Sequence, residues 1–89
     1  MNNEEARAIL AEAVQRFSQR DFASLLPLVE CGHVERTEVR GASGATYQVE
    51  IQFIWDDIPG ETIRIIGAID DLGWRAFIPL TESDLVRAP

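Results

Sequence analysis

Cysteine occurs once, at Cys31. A lone thiol has no internal disulfide partner, and such a chain is expected in a reducing compartment, read here as the cytoplasm. With one histidine, His33, beside that one cysteine, the clustered nitrogen and sulfur ligands of a zinc site are missing, and no metal is expected. Lysine is absent: all eight basic residues are arginine, scattered along the chain against fifteen carboxylates, for a net charge of −7. Phosphate-backbone recognition needs a basic face, so nucleic acid is not an expected partner. An acidic surface favours solubility and suits a basic protein partner. No apolar run approaches the roughly 20 residues of a membrane span. Glu4, Glu5 and Arg7 sit where a signal peptide would be apolar, so neither leader nor membrane is expected. The Gly41-Ala42-Ser43-Gly44 stretch lacks the length and the lysine of a phosphate-binding loop, and no cofactor motif is found.

Eighty-nine residues with 46% hydrophobic and 26% charged side chains are read as one domain, 1–89, with no linker and no repeat. The clearest pattern lies between Ala45 and Asp56. Ala45, Tyr47, Val49, Ile51, Phe53 and Trp55 alternate with Thr46, Gln48, Glu50 and Gln52, the period of a strand with one buried face. A sheet with one apolar side needs a cover. Ala6, Ile9, Leu10, Ala13, Val14 and Phe17 supply it as one stripe of a 3.6-residue period, and Asn2 and Glu5 have capping-box spacing at its start. Asp21 reads as a second N-cap before Phe22, Leu25 and Leu26. Pro27 is expected to cut that short helix, and Gly32 to end it as a C′ glycine.

Strands follow. His33 to Arg40 is charged on both faces, as an exposed edge is; the Gly41–Gly44 loop, the opening strand and the Asp57-Ile58-Pro59-Gly60 turn come next. Thr62 to Asp70 is the third strand, Asp71-Leu72-Gly73 a turn, and Trp74 to Leu80 the fourth, with Pro79 on an edge. The expected fold is α+β: an N-terminal helix plus a short second helix packed on one face of a four-stranded antiparallel meander. In the register expected, Trp55 faces Ile63, Phe53 faces Ile65 and Ile51 faces Gly67, while Ile69 faces Trp74, Gly67 faces Ala76 and Ile65 faces Ile78. Gly67 and Ala76 make the sheet thin there, so Phe17 or a small ligand would approach the backbone. Pairing Val39 with Ala45 turns His33 inward, and slipping by one turns Val34 inward; the first is preferred. On the opposite face Ile66 would lie across from Phe77 with Ile54 near and Arg64 and Arg75 around them. That patch reads either as ordinary surface or as the self-complementary face of a twofold dimer.

Catalytic chemistry has few footholds. His33 would serve as a general base only with an orienting partner that the sequence does not place. Asp56-Asp57 and Asp70-Asp71 sit at hairpin ends, where aspartate favours turns, without the alternating spacing of a calcium loop. Tyr47, Trp55 and Trp74 on the inner side read first as core and second as the lining of a ligand pocket that His33 would join.

The order of elements, together with Phe17-Ser18-Gln19-Arg20-Asp21-Phe22-Ala23-Ser24-Leu25-Leu26, resembles the nuclear transport factor 2-like superfamily. The resemblance implies a cystatin-like fold, a cone-shaped cavity between helix and sheet, and dimers through the open sheet face. The aspartate-histidine pair of its enzymatic members has no counterpart here. The stretch around Ile69-Asp70-Asp71-Leu72-Gly73-Trp74-Arg75-Ala76-Phe77 also resembles small bacterial proteins that carry no function over. Two readings follow. One is a non-catalytic homodimeric module that takes a small apolar ligand between helix and sheet. The other is an acidic protein-binding partner, such as an inhibitor, immunity protein or small chaperone. An isomerase- or hydrolase-like enzyme built on His33 is the third and weakest.

Overall fold

The computed structural model describes residues 2–71 and 79–89. Helix α1 (Asn3–Ser18) opens on Asn2, whose side chain accepts from the Glu5 backbone N–H at 3.1 Å. Only that half of the capping box forms, because the Glu5 carboxylate is engaged elsewhere. Helix α2 (Phe22–Glu30) opens on Asp21, which accepts from the Ser24 N–H at 2.9 Å. Four strands follow: β1 (Val34–Arg40), β2 (Thr46–Trp55), β3 (Thr62–Asp70) and β4 (Leu80–Arg87), antiparallel in the order β1-β2-β3-β4.

Pro27 does not cut α2; the helix runs through it. Proline removes one bond, to the carbonyl four residues back, and here both Pro27 and Ala23 lie on the exposed side. Leu25 is fully buried, with Phe22, Leu28 and Val29 packed on the core around it, and that burial outweighs one solvent-side bond. Gly32 ends the helix as expected, at φ +67°. The His33 N–H donates to Leu28 O at 2.9 Å and the Gly32 N–H to Val29 O at 3.1 Å, the paired bonds of a Schellman cap.

Between β2 and β3 the expected register holds: Trp55 faces Ile63, Phe53 faces Ile65 and Ile51 faces Gly67. Between β1 and β2, Val39 faces Tyr47 rather than Ala45. The Gly41 N–H bonds to Ala45 O at 2.8 Å, so Ala45 belongs to the loop and pairing begins at Arg40 and Thr46. This two-step difference preserves the face, and His33, Glu35, Thr37 and Val39 share the inner side.

The fourth strand is corrected. β3 is paired by Leu80–Arg87, with Ile69 facing Leu80, Gly67 facing Glu82 and Ile65 facing Asp84; the partners expected for these three, Trp74, Ala76 and Ile78, lie outside the described residues. Glu82 and Asp84 fall on the inner side of an edge strand, a position where charge deters further pairing and where apolar alternation is lost. Pro79 stands immediately before this strand.

The core is Ala6, Leu10 and Val14 from α1, Leu25 from α2, and Tyr47, Val49, Ile51, Phe53, Ile63, Ile65 and Ile69 from β2 and β3. Gly67 marks the closest approach of helix and sheet. The space above it is taken by Val14 and Leu10, not by Phe17, which meets the Phe53 ring edge-on at 5.0 Å. α1 lies chiefly over β4 and β3 and touches β2 less; α2 lies over β2 and β3. β1 therefore keeps its inner side largely uncovered.

Candidate binding crevice and open sheet face

Because α1 leans toward β4, a crevice of about 110 Å³ remains between it and β1. Val49 and Ile51 form its floor, Ala13, Phe17 and Val39 its walls, and Arg16, Glu35 and Thr37 its rim. Helical spacing brings Ala13, Arg16 and Phe17 to one side of α1, and strand alternation brings Glu35, Thr37 and Val39 to one side of β1.

His33 lies outside the lining and is joined to it through the rim residue Glu35. Its Nε2 lies 2.9 Å from Glu35 Oε2. A carboxylate only accepts, so the proton sits on Nε2, and in the neutral ring Nδ1 carries the lone pair. The ring stacks on Phe53 at 6.3 Å. The orienting carboxylate that the sequence left unplaced is thus Glu35, two residues along the same strand face. Among the described residues the imidazole has no hydrogen bond to a hydroxyl or thiol, so no activated nucleophile accompanies it. Phe17 continues the aromatic row, with the Arg20 guanidinium 5.8 Å above its ring.

The other aromatic candidates are spread out. Tyr47 is fully buried near the start of β2, and its hydroxyl donates to Glu5 Oε1 at 2.8 Å. The same carboxylate accepts the Ser43 backbone N–H at 2.9 Å and the Ser43 hydroxyl at 2.6 Å, tying the start of α1 to the β1–β2 loop. A Cβ on Gly41 would overlap this carboxylate. Hydrogen bonds from Ser43 first, then from Tyr47, hold the Glu5 carboxyl below its ordinary value; burial first, then Glu5, pushes the Tyr47 phenol up. Trp55 lies at the far end of β2, about 27 Å along the strand from Tyr47 by the rise per residue, with its ring 6.0 Å from Phe22. Of the residues expected to line a pocket, Tyr47, Trp55 and His33 are not part of this crevice's lining, His33 reaching it only through Glu35; Trp74 falls outside the described residues.

The outer face of the sheet has no cover among the described residues. Ile54 is 42% and Leu85 39% exposed, and Ile66 and Val34 are half-buried beside them. Arg64 stands among these, bonded to Asp56 at 2.8 Å and to the Ser83 hydroxyl at 3.0 Å. Ile66 faces Ser83, not Phe77; Phe77 and Arg75 lie outside the described residues. Leu85, opposite Arg64, was not among the residues singled out from the sequence, since the segment that carries it did not alternate. The charges on this face are nearly balanced. Strand parity places Arg36, Arg40, Arg64 and Arg87 there against Glu38, Glu50 and Asp70, Asp56 joins them through Arg64, and Arg36 pairs with Glu50 at 3.1 Å.

Asp56 is engaged by Arg64, and Asp57 takes φ +63° in the β2–β3 turn, so this aspartate pair serves the hairpin. Among the described residues no group of three or more His, Cys, Asp or Glu side chains is placed to hold a metal, and no helix is long and apolar enough to cross a membrane. No family model matches the chain, and searches of curated proteins and solved structures return no match to set beside it.

Proposed function

We propose that this chain is a non-catalytic module that pairs with a second copy of itself through the open face of the sheet. One observation carries the reading: a face uncovered among the described residues, with Ile54, Ile66, Leu85 and Val34 among near-balanced charges, on a chain of net charge −7. Two copies of so acidic a chain repel over most of their surface. This face escapes that repulsion, because its charges nearly cancel: Arg36–Glu50 and Arg64–Asp56 pair within the chain, and Arg40 and Arg87 can meet Glu38 of a twofold mate. Four strands about 4.8 Å apart and some eight residues long give a projected face of roughly 500 Å². That is below the roughly 600–1,000 Å² per partner of standard stable interfaces, so a reversible, concentration-dependent dimer is expected.

Sedimentation velocity across a concentration series tests this. The parent chain is expected to shift toward twice the monomer mass as concentration rises, while Leu85→Asp and Ile54→Asp remain monomeric with unchanged thermal melts. A parent that stays monomeric at the highest concentration, or variants that dimerise like it, would refute the reading.

A second reading is favoured by the location of the remaining charge. Eleven of the fifteen carboxylates lie off the outer sheet face, Asp56 being held there by Arg64, a distribution that suits association with a basic protein. Such a complex would weaken steeply with added salt, whereas the sheet-face dimer, with its apolar centre, would not.

A further inference from the structure

We infer that the crevice between α1 and β1 is a binding site for a small carboxylate with an apolar body, its ring or short chain on Val49 and Ile51 and its charge on Arg16. The volume sets the size class. At about 110 Å³ the crevice is smaller than the roughly 300–1,000 Å³ of drug-sized pockets. It is comparable with the engineered apolar cavity of about 150 Å³ that takes up benzene. A six-membered ring or a short aliphatic chain fills it and leaves the head group at the rim.

The rim sets the charge. Arg16 and Glu35 both border the opening. Glu35 is committed to His33 at 2.9 Å, while Arg16 has no ion-pair partner among the described residues. A cationic ligand would meet the unpaired Arg16 guanidinium across the opening. An anionic one meets an unengaged guanidinium, whose fork matches a carboxylate in two parallel bonds. Phe17 and Val39 close the sides, so that the apolar body leaves water as the charge is taken up. The site lies on the inner side of the sheet and does not depend on the pairing face proposed above.

Titration of the isotope-labelled chain with benzoate, followed by amide shifts, tests the assignment, with benzylammonium as the oppositely charged probe of like size. Benzoate is expected to shift Ala13, Phe17, Val49 and Ile51 in the millimolar range, and benzylammonium to leave them unmoved. Arg16→Gln, an exposed substitution, should weaken benzoate binding about ten-fold or more, as loss of a charge-assisted bond does. Ala13→Leu, which fills the crevice, should abolish it while the melt stays cooperative. No shift at these residues, equal binding of the two probes, or benzoate affinity unchanged in Arg16→Gln would each overturn the proposal. Because the sheet-face reading is measured by mass and this one by ligand-dependent shifts, either can fail without the other.

Discussion

Gly67→Ala is the sharpest test of how closely α1 lies on the sheet. A Cβ at this position would stand 2.6 Å from Val14 Cγ2, 2.8 Å from Leu10 Cδ1 and 3.1 Å from Ile51 Cδ1, where carbon atoms in contact rest about 3.5–4.0 Å apart. Val14 cannot turn away easily, since a β-branched residue in a helix has one strongly preferred rotamer. Leu10 is 1% exposed and can turn its end methyl only toward the groove it lines with Arg7, Ala11 and Glu82, so the constraint rests chiefly on Val14. Relief must come from lifting or sliding the helix, and overpacking of this kind costs about 1–3 kcal/mol. Removing glycine's freedom in the unfolded chain returns about 0.5–1 kcal/mol, so the net loss is about 0–2.5 kcal/mol. For a domain of this size each kcal/mol lowers Tm by about 4–8 °C. Adding Val14→Ala removes the nearest methyl, so the double variant should lose less than the sum of the two single ones, with a coupling of about 0.5–3 kcal/mol. Urea unfolding followed by tryptophan fluorescence and circular dichroism measures all four corners of the cycle. If Gly67→Ala is as stable as the parent and the two changes simply add, α1 does not seat on Gly67.

Two further outcomes follow from the same packing. Glu5, held below its ordinary value of 4.5 by Ser43 and Tyr47, contributes stability that is fully present above that value and is lost as pH falls through its lower folded one. Parent and Glu5→Gln should therefore differ in Tm at neutral pH and converge in acid, and a difference that stays constant from neutral pH into acid would refute the tie between α1 and the β1–β2 loop. Gly32→Ala adds a side chain to a residue at φ +67° with open space around it; the left-handed backbone alone should cost about 1–2 kcal/mol, read as a lowered denaturation midpoint, and no change would mean that the α2 cap relaxes freely.

Much of this architecture can be read from the chain because single residues leave little choice. The alternation from Ala45 to Trp55 admits only one buried face, and Gln48, Glu50 and Gln52 would be stranded by a slip of one. The α1 stripe is equally narrow. β4 escapes the same logic because Glu82 and Asp84 occupy its inner side, so Leu80 and Val86 are too far apart to show a period; Trp74 to Leu80 looks more like a strand taken alone. Pro27 misleads in the other direction, as a local rule that Leu25's burial overrides. The crevice is legible only afterwards. His33 and Glu35, two apart on a strand, must share a face, but Arg16 reads as solvated helix surface until α1 is seen to lean away from β1. Glu5 is likewise claimed by its own helix start on spacing alone, whereas its partners are Ser43 and Tyr47, some forty residues distant.

That lean of α1 toward β4 has a bearing on how the molecule assembles. The first helix rests on the last strand, so the helix cannot find its full seat until Arg87 has been made. Contacts between segments far apart in sequence are slow to close. During synthesis α1 would wait with Leu10 and Val14 exposed, and the nascent chain is expected to need shielding for that interval.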